Sequence, residues 1–167
     1  MHVEYYKDGT PCECDEMGRT CYESGDVMWE TPYINGKVHG TERVYYDSGA
    51  LKAEDPYVDG EEHGTARWYY TSGALLGEVP NVNGKKQGIE KEYYESGALS
   101  AEIHYVNGKE HGIRKAYYES GDLESEILYI NGNAHGIRKI YKESGTLCSE
   151  QMLIRDIVYS FVKQNFP

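Results

Sequence analysis

Residues 41–64 read Thr41-Glu42-Arg43-Val44-Tyr45-Tyr46-Asp47-Ser48-Gly49-Ala50-Leu51-Lys52-Ala53-Glu54-Asp55-Pro56-Tyr57-Val58-Asp59-Gly60-Glu61-Glu62-His63-Gly64. Two short runs rich in Tyr, Val and Leu are separated by turns that contain Gly, which is the pattern of a β-hairpin. A helix fails because two Gly-bearing breaks leave no uninterrupted run of about 10 to 12 residues. The reading is a strand from Thr41 to Tyr46, a turn at Asp47 to Ala50, a strand from Leu51 to Val58 and a turn at Asp59 to Glu62.

The same stretch recurs every 24 residues. Ser-Gly returns at 24–25, 48–49, 72–73, 96–97, 120–121 and 144–145, and Asn-Gly or Asp-Gly at 35–36, 59–60, 83–84, 107–108 and 131–132. His-Gly returns at 39–40, 63–64, 111–112 and 135–136, with Gln87-Gly88 in the remaining row. A fixed period means a one-dimensional array of supersecondary units. The expected fold is all-β: an elongated single antiparallel sheet of tandem hairpins, with twelve strands from about Arg19 to Leu153. At ~4.8 Å per strand such a ribbon is roughly 55 Å long and about 25 Å wide. Residues 1–18 read as an atypical N-terminal cap or partial repeat, 19–153 as the array and 154–167 as a C-terminal cap.

Four-residue loops at both turns set Arg43 opposite Glu54 and Glu54 opposite Arg67. A basic column (Arg19, Arg43, Arg67, Lys91, Lys115, Lys139) then alternates with an acidic one (Glu30, Glu54, Glu78, Glu102, Glu126, Glu150) without a gap. Opposite charges across strands contribute ~0.2–1 kcal/mol each, so the ladder reads as a register device. The opposite face collects Tyr46, Leu51 and their repeats, the small residues Ala53, Gly77, Ala101 and Ser125, and Val79, Ile103 and Ile127. That thin core matters because Leu, Ile, Val and Phe number only 30 of 167 residues, on the disordered side of a threshold of ~20%. Pro32, Pro56 and Pro80 share one repeat position, where a missing N–H implies frayed or bulged pairing.

After Glu150 the pattern dissolves. Ile154, Ile157, Val158, Phe161 and Val162 fit one face of a short helix. Alternation of Ile157, Tyr159 and Phe161 fits a strand instead, and the helix is the favoured reading. Cys12, Cys14 and Cys21 leave two readings open: a reduced thiol cluster in the cap, or a zinc site needing His2 as fourth ligand. Four Cys in a chain this long do not form a disulfide framework. Neither a basic leader nor an apolar leader is visible, and no apolar run is long enough for a transmembrane helix. The expectation is a reduced, cytoplasmic protein without cofactor or metal.

Seventeen Lys and Arg stand against 28 Asp and Glu, a net charge of −11. That sign repels phosphate, so nucleic acid and anionic membrane surfaces are not the expected partners. No nucleophile with its base departs from the repeat, so no enzyme is expected. What remains is surface. One long edge carries Glu23, Asp47, Glu95, Glu119 and Glu143, each before a Ser-Gly, with Thr71 in the sixth row; the other mixes Lys37, Glu61, Lys85, Lys109 and Asn133. Tyr45, Tyr69, Tyr93, Tyr117 and Tyr141 share the ladder face, where rigid rings with polar tips suit a binding surface or simply cover the sheet. The His column reads as turn residues bonded to nearby backbone, and His104, in a proline position, as a surface residue.

The row Tyr93-Tyr94-Glu95-Ser96-Gly97-Ala98-Leu99, with Glu102, Tyr105, Asn107-Gly108-Lys109 and His111-Gly112, resembles the MORN repeat variant family, and the resemblance extends over about residues 19–153. It implies a bacterial interaction protein of the kind described as the antitoxin component of toxin–antitoxin modules. The resulting expectation is an antitoxin or immunity protein that binds a toxin domain with a basic surface. The alternative is a structural or membrane-associated scaffold built from the same repeats.

Overall fold

A computed structural model of the chain describes residues 4–5, 11–12, 19–22 and 26–164, with side chains for 19–22 and 26–158. Thirteen strands follow one another in chain order across a single antiparallel sheet. They are β1 (Arg19–Cys21), β2 (Val27–Glu30), β3 (Gly40–Tyr45), β4 (Leu51–Val58), β5 (Gly64–Tyr69), β6 (Leu75–Val82) and β7 (Gly88–Tyr93). The remainder are β8 (Leu99–Val106), β9 (Gly112–Tyr117), β10 (Leu123–Ile130), β11 (Asn133–Tyr141), β12 (Leu147–Ile154) and β13 (Ile157–Gln164). Two-residue strands Glu61–Glu62, Lys85–Lys86 and Lys109–Glu110 branch from this path and pair back onto β4, β6 and β8. Glu4–Tyr5 pairs with Pro11–Cys12; the rest of the N-terminal cap, including Cys14 and the proposed ligand His2, lies outside the described residues.

The charge ladder is complete. Arg19 faces Glu30, Glu30 faces Arg43, Arg43 faces Glu54 and Glu54 faces Arg67, and the alternation runs on through Glu78, Lys91, Glu102, Lys115, Glu126, Lys139 and Glu150. It continues one step further, from Glu150 to Lys163 on β13. The closest ion pairs along it are Lys139 with Glu126 at 3.1 Å, Arg19 with Glu30 at 3.2 Å, and Arg67 with Glu78 at 3.3 Å and with Glu54 at 3.6 Å.

The turns that deliver this register are not a pair of four-residue loops. At the Ser-Gly turn, Gly49 N–H bonds to Tyr46 O at 2.9 Å and Tyr46 N–H to Ala50 O at 2.8 Å. The loop is therefore Asp47-Ser48-Gly49, followed by a bulge between the pairs Val44–Ala53 and Tyr45–Leu51. At the other end Val58 pairs with Glu61 around a two-residue turn. Asp59 and Gly60 both have positive φ, 52° and 91°, the type I′ geometry that matches strand twist. Tyr57 pairs with Glu62 and Glu54 with Arg67, so four residues (63–66) face two (55–56). The short turn removes two residues from the loop and the bulge returns them, which is why the register at Arg67 is as expected.

The bulge falls at Pro56, as a residue without an N–H requires. His63 N–H bonds to Pro56 O at 2.8 Å, and Gly64 packs over the pyrrolidine ring. A Cβ at Gly64, where φ is +120°, would meet Pro56 Cγ at 2.9 Å. His104 keeps this arrangement where proline is absent: it is half-buried, its carbonyl accepts His111 N–H at 2.8 Å, and its Cβ lies against Gly112.

Two further stacks bind row to row. Tyr22, Tyr46, Tyr70, Tyr94 and Tyr118 each donate the phenol O–H to the backbone carbonyl 23 residues on (Tyr45, Tyr69, Tyr93, Tyr117, Tyr141) at 2.7–2.8 Å. The type I′ hairpins also stack: Gly60 N–H bonds to Val38 O, Gly84 to Glu62 O, Gly108 to Lys86 O and Gly132 to Glu110 O, all at 2.8–2.9 Å. The core is thin but present. Val79, Ile103 and Ile127 are buried, Val79 to 1% exposure, beside Ala53, Ala66 and Ala101. Full burial of a valine side chain contributes ~1.5–3 kcal/mol. Ala134, on a hairpin return arm, packs with Ile127 and Leu153 beside Tyr129, so this arm adds to the core of the inner face.

The C-terminal segment is a strand and not the favoured helix. β13 pairs along β12 from Ile154–Ile157 to Ser149–Gln164. Its turn, Arg155-Asp156, takes the Asn-Gly conformation with φ of 51° and 64°, and Asp156 Oδ1 accepts Ala134 N–H at 2.8 Å. An open sheet edge offers eight residues a full hydrogen-bond partner, which a short isolated helix lacks.

Candidate interaction surfaces

The acidic edge is built by the three-residue turn. Asp47, Glu95, Glu119 and Glu143 occupy its first position and are exposed, and Thr71 holds that place in its own row. Glu23 lies outside the described residues. The turn is tied to its own hairpin stem by two backbone bonds per row, so the carboxylates form a line, one repeat apart from Glu95 to Glu143 and two repeats apart across Thr71. On the opposite edge Lys37, Glu61, Lys85 and Lys109 are exposed and Asn133 is half-buried.

The tyrosine row on the ladder face is differently placed. Tyr45 donates to Glu30 at 3.1 Å, Tyr69 to Glu54 at 2.9 Å, Tyr117 to Glu102 at 3.0 Å and Tyr141 to Glu126 at 3.2 Å. Each pair is separated by 15 residues. The phenols of Tyr45, Tyr69 and Tyr117 are raised above their ordinary pKa by burial first and then by the bonded carboxylate. These hydroxyls thus fasten the charge ladder, leaving the ring faces as the part a partner can reach. Tyr93 has the same place in its row, but no such bond to Glu78 occurs among the described residues.

The inner face departs from the average row. Glu42 faces Asp55 directly, a like-charge pair of the kind that destabilises a sheet. The Asp55 carboxyl is pushed up to about 6, by burial first and then by Glu62, Glu42 and Glu54. Two repeats later, at the position of Glu42, the charge is compensated: Lys86 Nζ binds Glu90 Oε2 at 2.6 Å and sits 4.8 Å above the Tyr105 ring. A cleft of about 450 Å³ follows, between Arg114 and Arg138 over Ile127 and Leu153. Among the described residues no group of three or more His, Cys, Asp and Glu is placed to hold a metal ion. His39 Nδ1 accepts Asp59 N–H at 3.4 Å, and Gln87 Oε1 accepts Asn107 N–H at 2.9 Å. In these two rows the side chain caps the turn of the next repeat, which shows how Gln can stand in the place of His.

One surface was not visible in the repeat pattern. On the ladder face, Ile89, Ile113 and Ile137 lie two residues before Lys91, Lys115 and Lys139, opposite His104, Leu128 and Met152. Val106, Ile130 and Ile154 follow two residues beyond those partners. These six side chains and Leu128 are each 39–46% exposed. The signal was available in the equivalent positions, which read Thr41, Thr65, Ile89, Ile113, Ile137.

An array of stacked hairpins with charges borne on its turns defines a repeat protein. The MORN repeat variant family matches the chain at residues 38–59, 62–82, 86–107 and 110–131, just over half of its length, and the chain belongs to that family. A search of curated proteins gave no match. MORN repeats generally mediate protein or membrane interactions.

Proposed function

We propose that the chain is a non-enzymatic, cytosolic protein-binding array whose acidic turn edge recognises a basic protein. The partner we favour is a bacterial toxin domain that the chain neutralises as antitoxin or immunity protein. The observation that carries the reading is the line of exposed Asp47, Glu95, Glu119 and Glu143 on a chain of net charge −11. Such a line steers a cationic partner into fast association that weakens with salt. Membership of the MORN repeat variant family supports a protein partner, and a toxin is the cationic protein we name for it. The test is capture of the adjacent gene's product by the tagged full chain at rising salt, with wild type beside a variant carrying Asp47→Lys, Glu95→Lys, Glu119→Lys and Glu143→Lys. Capture that fades with salt and is lost in the variant is expected. Absence of capture, or capture that strengthens with salt, refutes the reading; flotation on anionic vesicles would favour the scaffold instead.

A further inference from the structure

The chain is electrostatically lopsided. Residues 1–85 carry 7 Lys and Arg against 16 Asp and Glu, a net of −9, whereas residues 86–167 carry 10 against 12, a net of −2. The exposed aliphatic stripe is two lines wide only in the near-neutral half; the line of Val106, Ile130 and Ile154 runs on into the acidic half as Val82 and Val58. Ile89, Ile113 and Ile137 form one line and Val106, Ile130 and Ile154 a second, displaced along the strands. In the acidic half the first line is replaced by Thr41 and Thr65, which face Pro56 and Pro80.

We propose that this stripe is a homodimer interface, in which the C-terminal halves of two copies meet antiparallel and the acidic halves point away from each other. Three observations select a second copy. The stripe exposes on the order of 500 Å² of aliphatic surface, near the upper end of the largest patch on a typical monomer, about 300–600 Å². With the stems of the flanking Lys91, Lys115 and Lys139 it approaches the ~800 Å² per partner of a standard interface. A two-fold contact sets the same patch on itself, so an apolar stripe bordered by an alternating Lys–Glu ladder meets its own complement: Lys of one copy lies near Glu of the other. Finally, the arrangement holds the two −9 halves far apart, beyond the ~8–10 Å over which exposed charges interact at physiological salt. A basic partner, by contrast, gains nothing from a surface of this composition.

Sedimentation equilibrium of the full chain from micromolar to hundred-micromolar concentration tests the proposal. A monomer–dimer equilibrium is expected, tightening or holding steady as salt rises, because screening removes the residual repulsion and apolar contact is not weakened. That trend is opposite to the one expected for the acidic edge, so failure of one leaves the other standing. Ile113→Lys with Ile137→Lys changes only exposed positions and should shift the chain to monomer at every concentration. Thr41→Lys with Thr65→Lys, in the acidic half, should leave the dimer intact. A wild-type chain that is monomeric throughout, or a dimer indifferent to the isoleucine pair, overturns the proposal.

Discussion

Asp55 gives the sharpest test of how the inner face is balanced. It faces Glu42 across the β3–β4 pair, and its carboxyl is pushed from 3.8 up to about 6 by burial, Glu62, Glu42 and Glu54. A shift of about two units corresponds to at most ~3 kcal/mol of disfavoured charge, at ~1.4 kcal/mol per unit. The carboxyl is half-exposed, and solvent screening reduces the effect to on the order of 1 kcal/mol. The sign follows from proton counts. Between about pH 4 and pH 6 the folded chain retains a proton that the unfolded chain has released, so stability falls as pH rises through that window. Asp55→Asn removes the charge at constant shape. In urea unfolding it should match wild type near pH 3.5, gain progressively from pH 4 to 6, and stay ahead by ~1 kcal/mol at pH 7 to 8. At pH 7 to 8 this is ~2–4 °C in Tm for a chain of this size. A variant no more stable than wild type at pH 8, or one equally ahead at pH 3.5, would refute the account.

Other perturbations test the stacking devices. Gly64→Ala, at φ +120° and 2.9 Å from Pro56 Cγ, should cost ~2–3 kcal/mol in urea unfolding; Gly136→Ala, with nothing within 4 Å, should cost less. Tyr94→Phe removes the 2.7 Å bond to Tyr117 O and should cost ~1 kcal/mol. Tyr69→Phe, which loses the bond to Glu54, should cost ~1.5–3 kcal/mol because the acceptor is charged. Tyr93→Phe should be near neutral in the same assay, and an equal loss at Tyr69 and Tyr93 would contradict the assigned bonds. Glu102→Lys places a third cation between Lys91 and Lys115 and should destabilise by ~1–2 kcal/mol, part of which Lys91→Glu should restore.

The period, the two faces and the charge ladder were legible in the sequence because strand side chains alternate strictly and the same residue types return every 24 positions. Turn geometry was not. The spacing from Glu54 to Arg67 constrains only the number of residues between paired positions. A four-residue loop and a two-residue turn with a two-residue bulge satisfy it equally. Pro56 marked where the bulge lies but not its size. The terminal strand was obscured because Ile154, Ile157, Val158, Phe161 and Val162 satisfy a helical face and a strand alike. The open β12 edge and the β-branched Ile157, Val158 and Val162 decide for the strand. The tyrosine–glutamate bonds were readable in principle, since Tyr45, Tyr69, Tyr117 and Tyr141 each follow their acceptor by 15 residues. The second width of the aliphatic stripe was hidden by averaging: Ile89, Ile113 and Ile137 arise from three rows departing from Thr41 and Thr65, whereas the line through Val58, Val82, Val106, Ile130 and Ile154 is part of every row.

The bonds between rows also separate structural residues from the rest. Tyr46 and its equivalents bind the carbonyl 23 residues on, the hairpin glycines the carbonyl 22 residues back, and the ladder residues their cross-strand opposites. Each joins only adjacent rows, so stability accrues locally, and a substitution at any of them weakens the array before it changes what the array can bind. Asp47, Glu95, Glu119 and Glu143 stand outside every one of these stacks, as do Ile89, Ile113 and Ile137. A carboxylate at a turn tip contributes little to folding, and an aliphatic side chain left 39–46% exposed forgoes part of the burial energy it would gain elsewhere. Stacking therefore accounts for the tyrosines and the ladder but not for these two sets, and a requirement outside the chain is what would keep them there. Charge reversal at the first set and lysine at the second should thus alter association while leaving the urea midpoint within ~0.5 kcal/mol of wild type.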